Sequence, residues 1–224
     1  VRAQLHSIMA PYLGDPDYEA AKRAVTAVFA HQRHGAKQNG VPRHSGHAPV
    51  HARTAAAAGQ VLPGFCGDPA NRPDLLDIAC GLNPLAFPWM GLPTSTQFYA
   101  YDIHEPRIDF LNHYFRAQGL APLAKVQDVA HVFPQETADV ALFLKEMPRF
   151  TRNYGDLGRP LLQALNVRWL VVSYPEVSTH GGRNLTHRYR EFMGQLTDGL
   201  PWTTTEILFD GELVFCIEKS EDKP

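Results

Sequence analysis

The sequence predicts an α/β fold built on a mostly parallel sheet, closed by an antiparallel hairpin and preceded by a helical extension. Three observations carry that expectation. Short apolar runs at Leu75–Ala79, Gln97–Tyr101, Asp139–Leu144 and Trp169–Ser173 are separated by amphipathic stretches, the pattern of strands buried on both faces and crossed over by helices. The first run carries Asp77 and ends in Cys80-Gly81, and the second closes on Asp102; an acid, a glycine turn and a later acid mark Rossmann-like ligand-binding domains. Finally, Asp210-Gly211 joins two strand-like runs, Trp202–Phe209 and Glu212–Glu218, which is a hairpin signal.

The elements follow in order. Residues 2–30 are expected to be helical. Leu5, Ile8, Met9 and Tyr12 share a face, Gly14-Asp15-Pro16 interrupts, and Asp15 or Asp17 caps a second helix through Phe29 with Ala21, Val25 and Val28 on one side. The polar stretch His31–His51, with Gly35, Gly40, Pro42, Gly46 and Pro49, reads as a loop or linker. Its histidines lack the spacing of a zinc site, so no metal is expected. From His51 the run into Ala55–Ala58 starts a helix.

Strand one, Leu75–Ala79, leads into Gly81, where glycine accepts backbone angles closed to other residues and lets a ligand come close. One glycine in place of G-x-G-x-x-G disfavours a dinucleotide. A nucleotide-type ligand without a pyrophosphate, such as S-adenosylmethionine, and a plain buried turn both remain open. Asp102 lies close to the ~20 residues after strand one at which a carboxylate meets ribose hydroxyls. The other reading of Asp102 is the N-cap of the helix Glu105–Gln118, whose Ile108, Leu111 and Phe115 share a face and which ends at Gly119. Ala124–Val129 is a third strand, with Asp128 either an acceptor for an adenine amino group or a solvent-facing loop carboxylate.

Lys145-Glu146-Met147-Pro148 stands at the carboxyl end of strand four, the edge where open parallel sheets bind ligands. Lys145 is thus a site residue or a simple surface lysine. Leu157–Leu165 reads as a helix, Trp169–Ser173 as strand five and Arg188–Leu196 as a further helix. Between them, Gly181-Gly182-Arg183 suits a phosphate or a base, since the backbone can approach and the guanidinium forks around anions.

Composition narrows the function. A chain of 224 residues accommodates one α/β domain with an appended segment. No window approaches ~18 uninterrupted apolar residues, so no membrane span is expected. Cys66, Cys80 and Cys216 are odd in number and widely spaced, which argues for reduced thiols in a cytoplasm. The net charge of −2 hides a patchy distribution: Val1–Arg53 holds seven Lys and Arg against three acids, and Arg149–Arg190 holds seven Arg against two. Such asymmetry fits a polyanion partner or, more blandly, a solvated patchy surface.

The string Asp77-Ile-Ala-Cys-Gly-Leu-Asn-Pro-Leu, followed by Phe87-Pro88, resembles motif I of the Arm/Rmt group, the 16S ribosomal RNA (guanine-N7) methyltransferases of aminoglycoside resistance. Lys145 and Pro148 match that group's L-L-K-T-L-P. Ser173, Pro175, Ser178, Gly182 and Arg183 match its S-F-P-x-x-S-L-x-G-R, and His51 and Thr54 match its H-x-S-T-x-E-R. The resemblance implies a Rossmann-like class I methyltransferase sheet over residues 51–224 and an RNA-docking extension over residues 1–50. It implies S-adenosyl-L-methionine as cofactor, held by Arg53, Asp77, Ala79, Gly81, Asn83, Asp102, Ile103, Asp128, Val129 and Leu144. Lys145 and Arg183 would act at the reacting base. Lys22, Arg23, Tyr174, Ser178, Arg183 and His187 would contact RNA, with Phe87 and Trp89 as further stacking candidates. The implied partner is 16S rRNA in the 30S subunit, met by a cytoplasmic monomer. Two departures stand out. Ala56 and Ala57 replace a glutamate and an arginine that serves the cofactor carboxylate, leaving Arg53 as the substitute, and Thr186-His187 replaces a Gly-Met pair. They keep two alternatives in view: a same-fold methyltransferase with another substrate, and an RNA-binding relative with weakened cofactor affinity.

Overall fold

The computed structural model describes residues 17–35, 73–177, 182, 184–209 and 211–219. Seven strands form one sheet in the order β3-β2-β1-β4-β5-β7-β6. β1 (Leu75–Asp77), β2 (Phe98–Asp102), β3 (Ala124–Val126), β4 (Thr137–Leu144) and β5 (Asn166–Pro175) are parallel. β7 (Glu212–Lys219) runs antiparallel to β5 and pairs with β6 (Trp202–Phe209) in the hairpin that Asp210-Gly211 signals. The chain leaves β1 toward β2 on one side and returns to β4 on the other. The carboxyl end of β1 is therefore the topological switch point, where open α/β sheets leave a crevice.

Helices cover both faces. Beneath one face lie α1 (Tyr18–Gly35), α2 (Glu105–Gln118) and a 3-10 helix (Asn83–Trp89), packed with Leu75, Phe98, Val140 and Val171. The opposite face holds α3 (Met147–Tyr154), α4 (Gly158–Ala164) and α5 (Thr186–Thr197) against Leu76, Phe143, Leu170 and Val172. Adjacent residues of each strand serve opposite cores, as the pleat requires. This is why the strands read as unbroken apolar runs.

Capping explains where helices start and stop. Asp17 Oδ1 accepts from Ala20 N at 2.9 Å at the head of α1. α2 starts at His104, whose ring accepts from Arg107 N, and stops at Gly119, where φ is 82° and a side chain would be strained. α1 lies along α2: Tyr18, Ala21 and Val25 are buried, Lys22 bridges Glu19 and Asp109, and Phe29 meets Tyr114 edge-on.

Several boundaries differ from expectation. α1 continues to Gly35, so the first residues of the His31–His51 stretch are helical; Ala30, Gln32 and Arg33 favour helix, and no proline intervenes there. The rest of that stretch, and the helices expected near residues 2–13 and after His51, lie outside the described residues. β1 ends at Asp77, two residues early, because Ala79 turns to φ 51°. β3 ends at Val126, leaving Asp128 in a turn. α3 was not expected: it has Pro148 in its first turn and buries only Met147 and Phe150, too short a pattern to read.

Candidate active site

The turn after β1 is locked from three sides. Ile78 N donates to Leu142 O of β4 at 2.8 Å, Cys80 N to Tyr101 O of β2 at 2.8 Å, and Gly81 N to Asp102 Oδ2 at 3.0 Å. Ala79 and Gly81 both take positive φ, 51° and 53°. For alanine that conformation costs on the order of 1 kcal/mol, and neighbouring strands on both sides over-determine it. Stored backbone strain at the switch point is a mark of a binding turn.

Two carboxylates face this turn. Asp77 is 1% exposed and accepts from Asn83 Nδ2 at 2.7 Å. Burial pushes its carboxyl well above the usual carboxylate range, opposed by the Asn83 donor and assisted by the charge of Asp102. Asn83 Oδ1 is buried with no hydrogen-bond partner. Asp102 is held by three donors: Gly81 N and Arg107 Nη1 (2.9 Å) on Oδ2, and His104 N (2.9 Å) on Oδ1. His104, and not Asp102, caps α2, which removes the cap reading of Asp102. Arg107 in turn donates from Nε to the Tyr18 hydroxyl of α1 at 3.2 Å. Ile103 follows with 69% of its surface exposed, an apolar platform beside a carboxylate. The Cys80 thiol between them is buried and pushed up, chiefly by burial, so it is inert.

This arrangement fits S-adenosylmethionine. A buried unpartnered oxygen on Asn83 and the buried Asp77 are acceptors for a cationic amine, and Asp102 retains an acceptor direction for hydroxyl groups. Asp128 fits the adenine role less directly. Its Oδ1 accepts from Ala130 N (2.9 Å), and its Oδ2 faces His131 Nδ1 (2.9 Å) and the Tyr154 hydroxyl (3.3 Å). Burial alone would raise it, yet those hydrogen bonds together hold its pKa below the ordinary value. Val129 and Leu144 are buried beneath the edge. Arg53 lies outside the described residues.

Along the same edge, Lys145 is no ordinary surface lysine. It takes φ 62°, its N–H donates to Ser173 O at 2.9 Å, and its ammonium sits 2.5 Å from Glu212 Oε1. Glu212 opens β7 opposite Pro175 and is 1% exposed. Next to Lys145, burial raises the Glu146 carboxyl, with Arg149 opposing. Ser173 Oγ is buried without a partner.

The RNA-facing expectations divide. Tyr174 is wholly buried, stacked on Tyr189 at 4.4 Å with its hydroxyl donating to Met193 Sδ at 2.9 Å, so it is core and cannot stack on a base. Alternation explains this: Tyr174 is on the face of β5 that α5 covers. Phe87 is likewise core, packed on Phe98, while Trp89 is half-buried. Lys22 is tied to Glu19 and Asp109, whereas Arg23 is exposed. His187 is exposed on the first turn of α5, 3.6 Å from Glu191. Ser178 and Arg183 lie outside the described residues. Sequence reasoning missed Glu212, Arg107 and Tyr18. Arg107 follows Asp102 closely and could have been suspected; nothing in the sequence links Glu212 to Lys145.

Comparison with known proteins places this site in context. A family model described as ribosomal RNA methyltransferase (FmrO) matches residues 1–216. A protein of Frankia casuarinae named 16S rRNA (guanine(1405)-N(7))-methyltransferase is 32% identical over 145 residues, covering 64% of this chain and 51% of that protein. The chain spans about half the length of the curated relatives it matches. Among solved structures, the 16S rRNA methyltransferase RmtF in complex with S-adenosyl-L-homocysteine aligns with a TM-score of 0.69 at 25% identity, over 98% of this chain and 82% of that one. The 16S rRNA methylase RmtB aligns with a TM-score of 0.63 at 27% identity, over 98% and 80%.

Proposed function

The chain belongs to the FmrO family of ribosomal RNA methyltransferases, and on that premise we propose that it methylates N7 of guanine 1405 of 16S rRNA within the 30S subunit, with S-adenosylmethionine as donor, giving aminoglycoside resistance. The observation that carries the reading is the strained turn after β1, with Asp77, Asn83 and Asp102 around it. The cofactor supplies an electrophilic methyl group on a sulfonium. Asp77 and Asn83 would hold its amine end and Asp102 its ribose, while Ile103 offers the adenine an apolar face.

Guanine N7 carries a lone pair and no proton, so the reaction needs no general base. Positioning supplies the acceleration, and the protein's task is to hold the base edge in line with the methyl group. Lys145 lies at the edge where a splayed-out base would arrive, and its ammonium is a donor for the acceptor atoms of guanine. Arg183, from the glycine-bearing loop, would grip the adjoining phosphate or base, with Ser178 and His187 nearby in sequence. Arg23 and Lys22 belong to the segment that would dock on rRNA. The protein would act as a cytoplasmic monomer; among the described residues no helix is long and apolar enough to cross a membrane.

The test is methyl transfer from labelled cofactor to isolated 30S subunits, mapped by cleavage at N7-methylguanine. Label at guanine 1405 is expected from the wild type. With Arg183→Ala, turnover or RNA affinity should fall while cofactor binding stays intact. Label at another nucleotide, or none, overturns the substrate. The departures at Ala56 and Ala57 favour one other reading, an RNA-binding relative with weakened cofactor affinity. Calorimetry with no S-adenosylmethionine binding at millimolar concentration would establish it.

A further inference from the structure

Among the described residues, Glu212 is a charged side chain at the carboxyl edge that the reading above leaves without a task. It is 1% exposed, and the β6–β7 hairpin places it across β5 from β4. A buried carboxylate is costly unless something compensates it, and the ammonium of Lys145, at 2.5 Å, supplies part of that compensation. Lys145 is pinned at two further points. Its backbone is held left-handed at φ 62°, and its N–H is bonded to Ser173 O. Its side chain keeps 32% of its surface exposed, so the ammonium is clamped from below and open above. The contact is an ion pair, and an ammonium has three donors, so those not turned to Glu212 are available to an incoming acceptor.

We propose that Glu212 is a positioning residue: it anchors the Lys145 ammonium at a set place on the carboxyl edge so that the outward donors meet the acceptor edge of the target base. This rests on the assignment of Lys145 to the substrate. A free lysine would sample many rotamers and hold a base loosely. A lysine tied to a buried carboxylate is arranged before the base arrives, and a misplacement of about 1 Å can slow a reaction on the order of a hundredfold. Glu212 would do this without touching cofactor or substrate. Its influence on turnover should therefore run through Lys145.

That dependence makes the experiment. Wild type, Glu212→Gln, Lys145→Met and the double variant are compared for kcat and KM on 30S subunits, for S-adenosylmethionine affinity by calorimetry, and for melting temperature. Glu212→Gln keeps the volume and removes the charge. We expect it to lower kcat roughly tenfold or more with cofactor affinity unchanged, and to have no further effect on kcat when Lys145 is already methionine. Double-variant turnover below that of Lys145→Met, or a Glu212→Gln enzyme as fast as wild type, overturns the proposal. So does loss of cofactor binding in step with a lowered melting temperature, which marks a purely structural role. Should Glu212→Gln alone not fold, the double variant against Lys145→Met still decides, because removing both partners leaves no orphan charge. A wild-type enzyme that labels no 30S RNA would instead count against the methyltransferase reading itself.

Discussion

On the β1–β2 side of the carboxyl edge, the carboxylate of Asp102 is held mainly by backbone; on the β4–β5–β7 side, Lys145 and Glu212 hold one another. Asp102 takes two backbone amides, Gly81 and His104, together with Arg107. All four residues lie within a short span of β1, β2 and the start of α2. Lys145 and Glu212 meet across β5 through a strand far along the chain. The difference teaches where rigidity comes from. Backbone donors are fixed by the sheet itself, so that half is arranged as soon as the strands pair. A side-chain pair is arranged only when the closing hairpin is in place, and it can be retuned by a single substitution.

The contrast can be broken or sharpened by experiment. The largest effect is expected at Asp102. Asp102→Ala strips two amides and a guanidinium of their acceptor, and at about 1.4 kcal/mol for each of two lost hydrogen bonds S-adenosylmethionine affinity should fall about a hundredfold. Calorimetry reads it; an affinity within about threefold of wild type would mean that the backbone-held half is not the cofactor's.

A smaller effect, read in stability, is expected at Asp77. Because burial raises its carboxyl in the folded chain, the folded state keeps that proton longer than the unfolded state does. Stability should therefore decline as pH climbs from the ordinary carboxylate range up through the raised value. Asp77→Asn preserves an acceptor for Asn83 and removes the ionisation. For a relief of about 1 kcal/mol, its cofactor-free melting temperature at pH 8 should exceed wild type by roughly 2–4 °C, with a flatter profile between pH 5 and 8. Cofactor affinity should drop. A variant that melts lower at pH 8 would show that the Asp77 carboxylate is compensated in the free protein.

The smallest effect belongs to Tyr174. Tyr174→Phe loses one buried hydroxyl bonded to Met193 Sδ, worth about 1 kcal/mol, and methylation of 30S subunits should not change. Turnover reduced more than tenfold at an unaltered melting temperature would return Tyr174 to the RNA face.

Much of the fold is legible in the chain. Leu75–Asp77, Phe98–Asp102, Thr137–Leu144 and Asn166–Pro175 are strands buried on both faces, which leaves an apolar run that needs no partner to be recognised. Asp-Gly at 210–211 makes the hairpin visible for an equally local reason. α3 is invisible because two buried residues in eight set no period. Tyr174 differs from expectation because an aromatic beside the Gly-Gly-Arg loop suits stacking on a base as well as packing in a core, and only the face it occupies on β5 decides its burial.

The same division runs through the site. By itself the chain determined the turn after β1 and the acids around it, because a glycine that must turn and a carboxylate at the end of a buried strand are chemical demands that show in the local sequence. What only the tertiary structure decided was which charges meet. That Arg107 reaches Tyr18, and that Lys145 rests on Glu212, depends on α1 lying along α2 and on β7 pairing with β5. Contacts between distant segments leave no local pattern, since the energy that forms them belongs to the packed sheet and not to either segment alone.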